Sequence, residues 1–141
     1  MILTWLIAIP ILGAILSWIV SRWSVTATRW IALAAMAADL GLAVVLWVEH
    51  PVTPPGTFFL EQNYPWIPRF GISYHLGIDG LSLLLIVLTG LLGLVSVAVS
   101  WREITDRVGL FHLALLSLLA GIIGVFMSLD LFLLYFFWEL M

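Results

Sequence analysis

Glu139 is the residue of this sequence whose setting most demands a chemical reading. It lies in "DLFLLYFFWELM", Asp130 to Met141, inside an otherwise apolar run. If that run is a helix opening at Asp130, Glu139 sits nine residues in. At ~1.5 Å of rise per residue the depth is about 13–14 Å, close to half of a hydrocarbon core about 30 Å thick. A carboxylate there is costly, so such residues face a protein interior and mark proton or ion paths. A carboxyl held between a medium that opposes its charge and a cation that favours it can load and release a proton. The plainer alternative is a helix that kinks or ends just past Met141, leaving Glu139 at the membrane surface. Tyr135, four residues earlier, shares its helix face as a packing side chain or as a hydrogen-bond partner.

The remaining acids and histidines divide by setting. Asp39, in "MAADLGLAVV", falls in the middle of a second apolar run. Its small neighbours Ala37, Ala38 and Gly41 suit a close helix contact across which one polar side chain bonds, with a transport role as the weaker reading. Asp79, in "LGIDGLSLLL", and Asp130 each stand just before an apolar run, where an Asp caps a helix at its favourable dipole end. Asp130 and Glu139 are nine positions apart, hence on opposite faces of a helix, so they do not form one site. His112 lies two residues into the run that begins at Leu110. It could pass protons from the cytoplasm towards the buried acid, or be a structural histidine of the interface. No two of the three histidines (His50, His75, His112) share metal-ligand spacing, so no metal site is expected. Gly-rich phosphate loops and nucleophile motifs are absent.

These side chains need a membrane to give them meaning, and composition supplies one. The 141 residues are 64% hydrophobic and 9% charged, with 8 Trp and no Cys, whereas soluble domains carry about 25% charged residues. There is no Lys; the five cations are Arg22, Arg29, Arg69, Arg102 and Arg107. A net charge of -3 without a basic patch excludes nucleic acid as a partner. Without Cys, the chain has no disulfide, iron–sulfur ligation or c-type haem attachment.

Residues 2–20, 30–48, 81–100 and 110–129 are long enough to cross a bilayer, and 131–141 forms a shorter fifth run. Backbone groups in hydrocarbon must pair within their own segment, so each run is read as a helix. The expected fold is an all-α polytopic membrane protein, with an external loop over residues 49–75. The first run lacks a basic flank and an A-x-A site, so it reads as a retained helix rather than a signal peptide. The two short loops, 21–29 and 101–109, hold four of the five Arg, which places them in the cytoplasm and the N-terminus outside. Trp5, Trp18, Trp23, Trp30, Trp47 and Trp101 lie near span ends, as interfacial anchors do. In the long loop "HPVTPPG" is a proline-rich turn that cannot be helix. After it, short apolar–polar alternations broken by Pro65, Pro68 and Gly71 fit either a small β-hairpin or an irregular surface loop. Gly90 with Gly93, and Gly121 with Gly124, set small residues on helix faces and signal tight helix contacts.

Two stretches, "WIPRFGISYHLGIDGLSLLLIVLTGLLG" (Trp66–Gly93) and "GLFHLALLSLLAGIIGVFMSLDLFLLYFFWELM" (Gly109–Met141), resemble the antiporter-like membrane subunits of respiratory complex I, the bacterial NADH-quinone oxidoreductase. The Phe137–Trp138 pair favours the M-type branch over its L-type paralogue. The resemblance implies an N-terminal fragment of a bundle several times larger. It implies a subunit that moves protons through buried charges, with NADH, flavin, iron–sulfur clusters and quinone all in partner subunits and no cofactor in this chain. Its partners would be the other membrane subunits of a hetero-oligomer in a bacterial inner membrane. The family's fifth-helix glutamate falls at Glu139 and pairs with a lysine on a later helix, which this sequence does not contain. His112 belongs to the family pattern through F-H-L, whereas Asp39 matches no family motif. A multisubunit cation/proton antiporter, which shares the bundle and the acid, is the nearest alternative. A truncated membrane piece without transport activity is the other.

Overall fold

The structure, a computed structural model, describes residues 1–50 and 57–141. The expected proline-rich turn falls, but for His50, outside the described residues. Among the described residues there are five α-helices: α1 (Ile2–Val20), α2 (Val25–Glu49), α3 (Gly80–Glu103), α4 (Val108–Met127) and α5 (Leu131–Leu140). Between α2 and α3 lies an antiparallel hairpin of β1 (Leu60–Ile67) and β2 (Ile72–Ile78). The first four helices are each long and apolar enough to cross a membrane, and the fifth is a shorter apolar helix. This is an all-α polytopic membrane fold carrying one β-hairpin.

Local chemistry sets the ends of these elements. Ser24 accepts the Ala27 amide at 3.3 Å, so α2 begins at Val25, five residues before the apolar run at Trp30, and includes Arg29. A helix ladder continues through polar side chains, which is why α3 also extends past Ser100 to Glu103. Asp79 caps α3 through the Ser82 amide at 2.8 Å. Asp130 caps α5 through the Phe132 and Leu133 amides. Both acids therefore fill the expected role. Of the two readings left open for the external segment, the hairpin is the one formed. Its strands are turned by a 3₁₀ turn at Pro68–Phe70 and by Gly71, whose φ of 67° suits a residue without a Cβ.

Small residues decide how closely the helices approach. A Cβ on Gly13 of α1 would strike Ala35 of α2. One on Gly93 of α3 would strike Met36 and Leu119, and one on Gly90 would press on Leu40. The core is therefore two apolar clusters stacked along the helices. At the hairpin end are Leu3, Leu6, Ile7, Ala43, Leu46, Leu76, Ile78, Leu83, Ile86, Ile123, Met127, Leu133 and Phe137. Towards the opposite end are Ala14, Ala32, Met36, Val97, Leu116 and Leu119.

The hairpin is fastened to the bundle through both of its strands. Thr4 of α1 donates to Gln62 at 3.1 Å. The Leu129 amide, in the α4–α5 link, donates to the His75 carbonyl at 2.9 Å. Ser128 pairs with Leu76 as an isolated bridge, and Glu61 and His75 pair across the strands.

Candidate functional site

The orientation of Glu139 follows from the packing of α5 on α4. Gly121 and Gly124 leave α4 without side chains where α5 crosses it. The Phe137 ring occupies the space a Cβ on Gly124 would need, and the α5 backbone at Met141 comes to 2.9 Å of a Cβ position on Gly121. Leu133 and Phe137 are consequently the buried residues of α5. Two residues beyond Phe137, a rotation of about 200° turns Glu139 to the opposite side of the helix. Glu139 is exposed on this chain and faces away from the four-helix core. Tyr135 is 61% exposed, so the expected packing role is not filled within these residues.

Asp130 fixes where α5 starts. Its Oδ1 accepts the Phe132 and Leu133 amides at 2.9 and 3.2 Å, while its Oδ2 accepts the Ser73 amide at 3.2 Å and the Ser73 hydroxyl at 3.3 Å. The Ser73 amide holds this carboxyl below the usual carboxylate range, with the α5 amides adding to the effect. One side chain thus joins hairpin, link and helix. It sets the level from which the depth of Glu139 is counted.

Asp39 departs from expectation. Ala37, Ala38 and Gly41 are exposed, and the buried face of α2 runs through Ala32, Met36, Asp39, Ala43 and Leu46. Asp39 is 0% exposed, and neither carboxylate oxygen has a hydrogen-bond partner among the described residues. The expected bond across the helix contact is not made, because the residues facing Asp39 in that contact are apolar or already bonded within their own helices.

His112 is also fully buried, close to the start of α4. Its Nδ1 lies 2.8 Å from the Val108 carbonyl, which can only accept, so Nδ1 carries the hydrogen. Nε2 is then a bare acceptor, buried and without a partner among the described residues. The Arg29 charge is close enough to act on His112. Arg29 itself donates to the Ile104 carbonyl at 2.9 Å and lies 6.0 Å from the Trp101 ring centre, while its Nε is unpartnered. Sequence reading assigned Arg29 to a loop. The Ser24 cap, with Ala27 three residues on, was the signal that it belongs inside α2. The structure therefore does not gather Glu139 and His112 into one cluster: Glu139 lies on the outer face of α5, His112 inside the bundle.

No protein-family model matches this sequence. Curated relatives do. The chain is 49% identical, over its whole length, to NADH-quinone oxidoreductase subunit M of Escherichia coli strain K12. It is 51% identical to the protein of the same name from Pseudomonas aeruginosa, again over its whole length. With NAD(P)H-quinone oxidoreductase chain 4-2 of Synechocystis the identity is 34% over 98% of the chain. The chain spans 29% of the length of the two subunit M relatives and 24% of the Synechocystis protein. Over its whole length the chain is thus similar to a part of the NADH-quinone oxidoreductase subunit M proteins of two bacteria.

Proposed function

We propose that this chain forms part of a proton-translocating membrane subunit of a bacterial NADH-quinone oxidoreductase, with Glu139 as a proton carrier. The observation that carries the reading is the aim of Glu139, exposed on the face of α5 that the first four helices leave uncovered; counted from the Asp130 cap, we read its depth as near mid-membrane. A carboxylate cannot be left against lipid at that depth, so this face receives further helices. They bring the cation that balances the acid, since these 141 residues contain no lysine and their five arginines lie towards the two ends of the bundle. Proton transfer needs no redox group here: NADH, flavin, iron–sulfur clusters and quinone belong to partner subunits, which drive the carrier from a distance. His112, with Nε2 free to accept, is the proposed entry relay on the cytoplasmic side. The N-terminus and the hairpin face outward, across the bacterial inner membrane from the four Arg of the short loops.

The test is Glu139→Ala in the full-length subunit of an assembled complex. Proton pumping and coupled quinone reduction should fall strongly, with assembly intact. Near-normal pumping would remove Glu139 from the path.

A further inference from the structure

Asp39 has no place in the path just proposed, yet it is the carboxyl most completely enclosed in the structure. It lies between the two apolar clusters: Ala43, one turn away on one side, belongs to the cluster at the hairpin end, and Met36, one turn away on the other, to the cluster towards the opposite end. Its depth can be read from the contacts. Gly13 meets Ala35, so three residues back along α1 and four forward along the antiparallel α2 bring Pro10 and Asp39 level to within about 1.5 Å. Gly93 meets Met36 and Leu119, which sets Asp39 beside Gly90 of α3 and Ile122 of α4. Gly124 meets Phe137 and Gly121 meets Met141, so Glu139 stands at that same level, beyond α4.

Nothing at this level compensates a charge. Along α1 there is no titratable residue. On α3 the charged groups are Arg102 and Glu103 in its last turn, and on α4 the titratable residue is His112, near the far end. On α2 itself Arg29 and Glu49 are each ten residues from Asp39, about 15 Å along the axis. The buried hydroxyls of Ser17, Thr28, Thr89 and Ser100 each donate to a carbonyl of their own helix. An ionised carboxylate with neither counter-charge nor donor is far costlier than a neutral acid. A neutral acid needs only one acceptor for its O–H, and Pro10 provides for one. Lacking an N–H, it leaves the Leu6 carbonyl out of the α1 ladder at this depth.

We propose that Asp39 is a proton-binding site of the first four helices, occupied in the folded chain and separate from the acid on α5. The ligand is a proton rather than a metal cation, which would need several oxygens where the carboxyl and the Leu6 carbonyl are the ones this level offers among the described residues. The proposal does not depend on Glu139 being a carrier.

The test is infrared difference spectroscopy at neutral pH on the assembled complex, wild type against Asp39→Asn. Loss of the carbonyl stretch of a neutral carboxylic acid is expected. Loss of carboxylate stretches instead would overturn the proposal, whether the counter-ion is a metal or a neighbouring group. Should the Asn variant fail to assemble, Asp39→Glu serves: a displaced neutral-acid band supports the site, and displaced carboxylate bands refute it.

Discussion

Asp130 shows how much one side chain can set. Its two oxygens serve different elements, Oδ1 the first turn of α5 and Oδ2 the hairpin at Ser73. Because the folded carboxyl titrates below its ordinary value, its stabilising contribution is fully present above the unfolded value, about 3.9. It is lost as pH falls through the folded value. Acidification through that folded value, which lies below the ordinary carboxylate range, should therefore release the Ser73 amide, read as lost protection in hydrogen exchange. Asp130→Ala should show that loss already at neutral pH. Equal protection in the variant would mean the hairpin is held elsewhere. His112 offers a second residue-scale prediction. His112→Ala in the full-length subunit should lower proton translocation partially, because Nε2 is the unpartnered acceptor; an unchanged rate would make it a packing residue. The capping acids, and the distance of Glu139 along α5 from its cap, were legible in the sequence, since both depend on position along one helix. The isolation of Asp39 was not, because it depends on which face of α2 meets three other helices.

At the scale of the element, α5 owes its rotation to the notch on α4. Phe137 is 4% exposed and fills the space left by Gly124. Phe137→Ala should cost about 3–5 kcal/mol, and Gly124→Leu, which overpacks the same contact, about 1–3 kcal/mol. Thermal denaturation of the solubilised complex, followed through loss of this subunit, measures both. No effect from either would mean that α5 is oriented by something else. The helices themselves could be read from apolar runs, α1 to both of its ends, but not where α2 and α4 begin. Ser24 starts α2 ahead of its apolar stretch, and Arg107 precedes α4 in a left-handed conformation with φ 48°. The hairpin was half legible: alternation suggested strands, while their closure depended on the tether of β2 to Ser128 and Leu129.

For the whole molecule, charge and polarity divide between the ends. Arg22, Arg29, Arg102 and Arg107 lie at the end where α1 meets α2 and α3 meets α4, and the hairpin covers the other. Asp39 and Glu139 occupy one level between them, on either side of α4. If the Arg end is cytoplasmic, a cysteine at Gln62 should be labelled from outside the cell, a clean experiment because the chain has no other cysteine; labelling from the cytoplasm would reverse the orientation. The central proposal is that Glu139 works as a proton carrier and not as a packing residue. Glu139→Gln preserves size and hydrogen bonding while removing the ionisable proton. The most direct measurement is proton translocation per electron in vesicles carrying the assembled complex with this substitution. A strongly reduced ratio with normal subunit content is predicted, and a wild-type ratio would contradict the account.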